Sequence, residues 1–284
     1  MIRHRSYAVP ITAVLLALAT GVALGAGPLT DTGSSASPGR RVLTPPPDAA
    51  YADAFTASVA ARLYDHGLSR RPVALVTMPG ADPATVAALM SQVKAAGGQV
   101  TATYAIRSQL VDAQQKSLVD TLGIQLAKQV KGQTDPKATT YPRIGQLVAV
   151  AVANRGNAGA PAGTDAVAVR QSLVAAKLLT VPAGHPPTAP LVLVVLGSPL
   201  DQAIADGVVT GLGAGSRGAV AVAPTKDPNL VGLAADGVTR RVTTVDGSET
   251  GAGRVAAVLG LVRAWSTQGG AFGASGADGP VPLG

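Results

Sequence analysis

Val73-Ala-Leu-Val-Thr77 is the stretch that decides the fold of this 284-residue chain. A short, uninterrupted apolar run of this kind is typical of a strand that is buried on both faces. Met78-Pro79-Gly80 then turns the chain, and Asp82 caps a helix that Gly97-Gly98 ends. Residues 99–105 are predicted to form a second strand. A strand, a helix and a strand in this order predict a βαβ unit with parallel strands and a right-handed crossover.

The same pattern returns in the second half of the chain. Residues 191–196 form an apolar run, Gly197-Ser198-Pro199 forms a turn, and Asp201 stands near the start of the next helix, as Asp82 does in the first unit. Residues 219–223 read as the strand that follows. The sequence therefore predicts an α/β fold class, with one doubly wound, mostly parallel domain that contains two similar βαβ halves.

Helical periodicity and turn residues complete the domain. In the first of these helices, Tyr51, Phe55, Val59 and Leu63 line one face at four-residue spacing. A last strand is predicted over 242–245. Further helices are predicted over 48–66, 112–131, 142–154, 165–178 and 250–265.

An uncharged segment, residues 8–27, follows the basic start Met1–Arg5. As a helix of about 20 residues, it would match a hydrocarbon core of roughly 30 Å. One interpretation is a secretory signal peptide that is cut near Gly25–Gly27. The other, which we favour, is a retained single-pass anchor. Arg3 and Arg5 keep the amino end in the cytoplasm, so both interpretations export the rest of the chain.

Small residues recur every fourth position along this segment, at Ala13, Ala17, Gly21 and Gly25. Such a face permits close helix packing in lipid and predicts a homo-oligomer. The competing interpretation is that alanine and glycine are simply abundant in this chain.

Composition shifts predict the domain boundaries. Residues 1–29 comprise the basic start and the anchor or signal, and 30–47 form a tether rich in proline and serine. Residues 48–268 form the extracytoplasmic α/β domain. The Gly-rich tail, residues 269–284, is predicted to be disordered.

The charge and composition restrict the function classes. The chain has no cysteine, so disulfides, thiolate metal sites and cysteine nucleophiles are excluded. The net charge of +7 suits an anionic surface. However, no basic run exceeds two residues and aromatics make up only 3% of the chain, which argues against nucleic acid as a partner.

The polar residues at the carboxyl ends of the strands are the candidates for a site, because doubly wound sheets bind ligands there. They are Ser198, Asp246 and Glu249. The competing interpretation is that these are ordinary turn and capping residues. A hydrolase that uses Ser198 with Asp246 or Glu249 is one hypothesis. No GxSxG motif surrounds Ser198, and no histidine has a natural triad partner. We therefore predict no enzyme and assign no catalytic, cofactor-binding or metal-ligating residue.

Three stretches together resemble a known family. They are the start with its apolar segment (residues 1–25), the unit from Val73 to Val100, and Val242–Asp246 followed by Thr250–Leu259. In this order they resemble the actinobacterial copper transport protein B family, the MctB-like proteins. The resemblance implies a cell-envelope protein that helps to keep intracellular copper low, with the copper ion as the transported species and no stably bound cofactor.

Two functions from different classes follow. The favoured one is an anchored envelope protein that acts in copper efflux and homeostasis. Its predicted location is the membrane, as a single-pass protein with an outward-facing domain. The alternative location is the outer membrane, to which the chain would be exported. The other is a membrane-tethered α/β binding or scaffolding module that has no transport activity and holds envelope protein partners.

Overall fold

A computed structural model of the chain describes residues 47–283 and shows a seven-stranded sheet in the order β3-β2-β1-β4-β5-β6-β7. All neighbouring strands are parallel except β3, which pairs antiparallel with β2 at one edge. The strands are β1 (Val73–Thr77), β2 (Val100–Ile106), β3 (Leu179–Thr180), β4 (Leu191–Val195), β5 (Gly218–Ala223), β6 (Val242–Asp246) and β7 (Ala271–Phe272). The predicted α/β class with a mostly parallel sheet is confirmed.

Nine α-helices occur within residues 47–283. They are α1 (Pro47–Tyr64), α2 (Pro83–Ala95), α3 (Ser108–Val111), α4 (Lys116–Gln129), α5 (Thr140–Val152), α6 (Thr164–Ala175), α7 (Gln202–Gly215), α8 (Pro228–Ala235) and α9 (Gly251–Ala264). Short 3₁₀ turns at Ala113–Gln115 and Val238–Arg240 precede α4 and β6.

The order of the strands reverses between β1 and β4, where two βαβ units diverge. The unit β1–α2–β2 extends toward one edge of the sheet, and β4–α7–β5 extends toward the other. The two helices begin in the same way, because the Asp82 side chain accepts a hydrogen bond from the Thr85 backbone N–H and Asp201 accepts one from Ile204. The capping equivalence that the sequence indicates is therefore present.

Helices cover the sheet on both faces and create two apolar layers. One layer contains Ile144 of α5, Leu173 of α6 and Val208 of α7 against residues such as Val192 of β4. The other contains residues of α1, α2 and α9 against the opposite side of β4 and β5. The five residues of β4 are all buried, as expected for a strand with helices on both sides.

The closest contact between helices joins α5 and α7. Gly207, Gly211 and Gly215 recur every fourth residue of α7 and face α5. A Cβ atom on Gly211 would collide with the carbonyl oxygen of Pro142, and one on Gly145 of α5 would collide with the carbonyl oxygen of Val208. Only glycine allows the two backbones to approach this closely.

A buried arginine also stabilises this layer of helices. The Arg170 guanidinium, on α6, donates hydrogen bonds to the carbonyl oxygens of Ala151 and Pro186 and to the hydroxyl of Tyr104. These three acceptors satisfy a charge that would be costly to bury unpaired. Arg170 thereby ties α5 and β2 to the loop before β4.

Four elements were missing from the sequence prediction because they are short. The strands β3 and β7 have two residues each, α3 has four and α8 has eight. The start of α8 nevertheless carries a recognisable signal, since Asp227 caps Leu230 and Pro228 occupies the first helical position.

The prediction of a disordered tail is wrong for residues 269–283. Ala271 and Phe272 form β7 beside β6, and both are buried. The buried Asp246 carboxylate accepts hydrogen bonds from the backbone N–H (3.0 Å) and the hydroxyl of Ser275, and Gly273 lies directly against it. Glycine content suggested disorder, whereas these glycines allow the chain to pack closely on β6.

The helix α1 is confirmed, but its regular apolar face points away from the domain. Tyr51 and Phe55 are 74% and 57% exposed, whereas Ala60 and Tyr64 pack into the core. The start of α1 is attached instead by Asp53, whose carboxylate accepts a hydrogen bond of 2.7 Å from the backbone N–H of Gly251 at the start of α9.

The predicted anchor or signal (1–29) and the tether (30–47, apart from Pro47) lie outside the described residues, and so do Ala13, Ala17, Gly21 and Gly25.

We predict that Gly211→Ala lowers the free energy of unfolding by about 1–3 kcal/mol, because the new methyl group overpacks the contact between α5 and α7. Gly123→Ala is the matched control. Gly123 also lies in a helix, but a Cβ atom there meets only the Arg143 side chain at 3.6 Å, so alanine should stabilise by about 0.5–1 kcal/mol. Chemical denaturation of both variants measures the difference, and equal effects would contradict the close contact.

Candidate functional site

The crevice at the carboxyl ends of β1 and β4 is closed by its own loops. Doubly wound sheets bind ligands where the strand order reverses, which here lies between these two strands. The Ser198 backbone N–H donates a hydrogen bond of 2.8 Å to the Pro79 carbonyl oxygen, and Gly197 lies directly against the same turn. The two loops therefore pack backbone to backbone.

The three polar residues predicted at the strand ends each have a separate partner. The Ser198 hydroxyl lies against Gly80. The Glu249 carboxylate accepts hydrogen bonds from the backbone N–H and the hydroxyl of Thr225, while Asp246 binds Ser275. Among residues 47–283, no hydrogen bond connects Ser198 with either carboxylate. The structure does not bring the three together as a catalytic group.

The residue types that bind metal ions are dispersed in the part of the chain that the structure describes. No group of three or more histidine, aspartate or glutamate side chains there could hold a metal ion. Met78 packs in the layer beneath β1, whereas the sulfur of Met90 lies 3.9 Å from the hydroxyl of Thr103 on the other side of the sheet. Both methionines nevertheless line one cavity of about 410 Å³ at the carboxyl end of β1.

A cavity of about 650 Å³ lies beside the contact between α5 and α7. Its acidic lining comes from the start of α7 and from the turn after α8, and Lys116 is the basic residue of the lining. Tyr141, at the beginning of α5, lines it as well. The acidic residues are Asp201, Asp206 and Asp236.

Asp206 lies near Asp236 and Asp201 in this lining. Burial, together with the neighbouring Asp236 and Asp201, raises the pKa of Asp206 to about 6, although a hydrogen bond from Gln202 acts in the opposite direction. The Gln202 amide donates to Asp206 at 2.7 Å, and its oxygen accepts from Asn229 at 3.1 Å. Asp206 is therefore held in place from α8 as well as from its own helix.

Tyr141 places an unpaired hydroxyl in this region. The residue is 9% exposed, and within residues 47–283 its hydroxyl group is the one buried side-chain polar group that lacks a hydrogen-bond partner. Burial and the charges of Asp201 and Asp112 raise the pKa of this phenol. An unpaired buried hydroxyl costs about 1–3 kcal/mol, so its presence demands an explanation.

The sequence analysis did not find this cavity. Asp201 was identified only as a residue near a helix start, and Asp206, Asp236 and Tyr141 were not identified at all. Nothing in the spacing joins Asp206 to Asp236, because the pair forms only when α8 packs beside α7. The one available signal was a tyrosine at the start of an otherwise apolar helix.

None of the helices within residues 47–283 is both long and apolar enough to cross a bilayer. A model of the family described as "Copper transport outer membrane protein, MctB" matches residues 1–43 and 47–282. The chain belongs to the MctB family. The resemblance recognised from the three sequence stretches is confirmed.

Curated members of the family share 29% identity with the chain over 294 aligned positions. They are proteins named copper transporter MctB from Mycobacterium bovis and from two strains of Mycobacterium tuberculosis. The alignment covers 92% of this chain and 92% of each relative. The MctB family is one of envelope proteins in copper transport rather than one of enzymes, in agreement with the function predicted from the sequence.

We predict that the stability of the domain falls as the pH rises from about 4 to 6. Asp206 has a pKa of about 6 in the folded protein, above its ordinary value of 3.8, so the folded state binds more protons in this range. The contribution is fully present below pH 4 and is lost through pH 6. Two pKa units correspond to about 3 kcal/mol, and partial exposure of Asp206 reduces this to about 1 kcal/mol.

Thermal unfolding of the parent chain and of Asp206→Asn, recorded between pH 4 and pH 7, measures this dependence. The variant should lose it, whereas the control Asp165→Asn, at the start of α6 and outside the cavity lining, should follow the parent. Parallel curves for the parent and Asp206→Asn would contradict the prediction.

Proposed function

We propose that the chain is a single-pass membrane protein whose outward-facing domain acts, without catalysis, in copper transport and homeostasis. One observation carries this proposal: the family model matches both the amino-terminal region, residues 1–43, and the domain over 47–282. The match supports a function that uses the apolar segment together with the domain. Copper is the cargo, and the relatives named copper transporter MctB support this choice.

The proposed arrangement has four parts. Residues 1–29 contain the anchor, and 30–47 connect it to the domain. The domain starts at residue 48 and, given β7, extends beyond the predicted limit of 268. An alternative is that the chain is released from the inner membrane and resides in the outer membrane, which the family description also supports.

Each of the three strand-end residues contacts a different partner, and this supports a non-catalytic role. Ser198 packs on Gly80, while Glu249 and Asp246 link neighbouring loops. A serine nucleophile needs a base within hydrogen-bond reach, and neither carboxylate is aligned with Ser198. We therefore assign these three residues to the structure of the strand ends.

The second candidate is a tethered binding or scaffolding module without transport activity of its own. The observation that favours it is the exposed aromatic face of α1, with Tyr51 and Phe55 next to the proposed tether. Exposed aromatic side chains that are aligned on one helix are typical of a surface for a protein partner. Envelope proteins are the partners that this candidate would hold.

We predict that deletion of the gene makes cells more sensitive to copper. The wild-type gene and Ser198→Ala should both restore growth. A version in which a cleavable secretory signal replaces residues 1–46 should not, because the anchor is lost. Growth in graded copper concentrations, with zinc as the control metal, measures the effect.

An unchanged copper sensitivity of the deletion strain would overturn the transport proposal and leave the scaffolding module. Failure of Ser198→Ala to restore growth, at normal protein abundance, would overturn the non-catalytic assignment.

We further predict that the anchor associates through its small residues. Gly21→Ile should reduce cross-linking between copies in the membrane, because a branched side chain keeps the helices apart. Ala19→Ile is the control, since position 19 lies on the opposite side of the helix. Equal cross-linking of the two variants would show that the face of Ala13, Ala17, Gly21 and Gly25 does not mediate association.

A further inference from the structure

Arginines lie at the edge of the sheet where the parallel strands begin. Arg71 lies shortly before β1, Arg217 lies directly before β5, and Arg241 lies directly before β6. Because parallel strands begin at the same edge of a sheet, the three residues belong to one end of the domain. The other end, where the strands finish, carries the acidic helix caps and strand-end residues Asp82, Asp201, Asp227, Asp246 and Glu249.

Two of these arginines pack on Trp265, the only tryptophan of the chain. The guanidinium carbons of Arg71 and Arg217 lie 4.6 Å and 4.3 Å from the centroid of its ring. The Arg71 guanidinium also donates a hydrogen bond of 2.9 Å to the Gly67 carbonyl oxygen, and Arg217 donates one of 3.1 Å to the carbonyl oxygen of Trp265. These contacts hold two positive charges in fixed positions around one ring.

No carboxylate neutralises these two charges within residues 47–283. Neither Arg71 nor Arg217 forms an ion pair there with an aspartate or a glutamate. Their acceptors are neutral, namely backbone carbonyl oxygens and, for Arg217, the side-chain oxygen of Asn157 at 2.6 Å. A guanidinium has five N–H donors, so both groups keep donors that no described residue accepts. Fixed guanidinium groups of this kind suit an anionic ligand from outside the chain.

The positive surface continues around the end of α7. Arg155 donates a hydrogen bond of 3.0 Å from its Nε to the carbonyl oxygen of Ala214. Together with Arg241 and Lys137, it lines a cavity of about 580 Å³. Asp135 is the acidic residue of this lining, and its carboxylate accepts a hydrogen bond from the backbone N–H of Lys137.

A structural role at the helix ends explains only part of this surface. Arg155 stabilises the last turn of α7, where a positive charge is favourable. Arg241 and Lys137 are exposed, and their side chains form no hydrogen bond or ion pair within residues 47–283. We refer to the following five residues as the basic surface: Arg71, Lys137, Arg155, Arg217 and Arg241.

The anionic partner that the chain would meet first is a lipid bilayer. The apolar segment, residues 8–27, is followed by only 19 residues before α1 begins, and such a length of chain spans at most roughly 65 Å. If that segment is the anchor, the domain stays close to a membrane, which is therefore present at a high effective concentration. Guanidinium groups match the phosphate groups of lipids, and tryptophan and arginine are both favoured at the surface of a bilayer.

We propose that the basic surface docks the domain on the phosphate groups of an anionic phospholipid membrane. The proposal rests on the proposed function, because the anchor is what brings the domain to the membrane. Docking turns the edge at which the parallel strands begin toward the bilayer. The strand ends at Ser198 and Asp246 then face away from it.

Fluorescence of Trp265 in the full chain tests this proposal, because a single tryptophan reports on this surface alone. The chain is reconstituted in phosphatidylcholine vesicles with or without phosphatidylglycerol, an anionic lipid, and both kinds contain a lipid with a nitroxide group on its head group. We expect much stronger quenching of Trp265 in the anionic vesicles. High salt should reverse it, because salt screens the attraction.

The double variant Lys137→Gln, Arg241→Gln removes two charges of the basic surface without touching the packing around Trp265. It should lower the ratio of docked to free domains about thirtyfold, since each basic residue near an anionic membrane contributes about fivefold. The matched control is Lys116→Gln, Lys226→Gln, which removes the same charge from exposed positions outside the basic surface and should behave like the parent. Equal melting temperatures of the three proteins show that the fold is intact.

Equal quenching in neutral and anionic vesicles would overturn the proposal, and so would equal quenching in the two double variants. An absence of quenching, together with a change in Trp265 emission when soluble polyphosphate is added, would assign the basic surface to an anionic polymer and overturn the lipid partner. A deletion strain with normal copper tolerance, in contrast, overturns the proposed copper function and leaves the vesicle result intact, because the vesicles contain no copper.

Discussion

The close contact between α5 and α7 is the constraint on which the rest of the domain depends. Three glycines at four-residue spacing on α7 and Gly145 on α5 bring the two backbones together at a distance that any side chain would prevent. This contact fixes the start of α5, and therefore Tyr141, beside the first turns of α7. The contact between these two helices is consequently built on glycine, while apolar side chains such as Ile144 and Leu173 fill the layer beneath them.

A separate close contact, between two loops, closes the crevice at the strand ends. In many doubly wound folds the two loops at the point of strand-order reversal separate and leave a crevice. Here Gly197 and Gly80 allow those loops to pack on each other, and the crevice is closed. Space is present instead on the flank of α7, in a cavity that Tyr141, Asp206 and the turn after α8 line.

The sequence predicts the parts of this structure that depend on local pattern. The apolar run at Val73–Thr77 and the capping Asp82 are sufficient for the first βαβ unit, because burial and capping are encoded within a few neighbouring residues. The carboxylate pair of Asp206 and Asp236 is different, since 30 positions of chain, including β5 and α8, separate its members. The C-terminal segment shows the same limit: its order depends on the distant, buried Asp246.

The side chains that could contact a metal ion are distributed over separate parts of the domain. Cu⁺ prefers thiolate and thioether ligands; the chain has no cysteine, and Met78 and Met90 both line a cavity at the carboxyl end of β1. Carboxylates line a different cavity, beside α7. Among residues 47–283, no group of three or more acidic or histidine side chains could hold a metal ion, so the described part of the domain offers thioether and carboxylate groups in separate places rather than one convergent set of ligands.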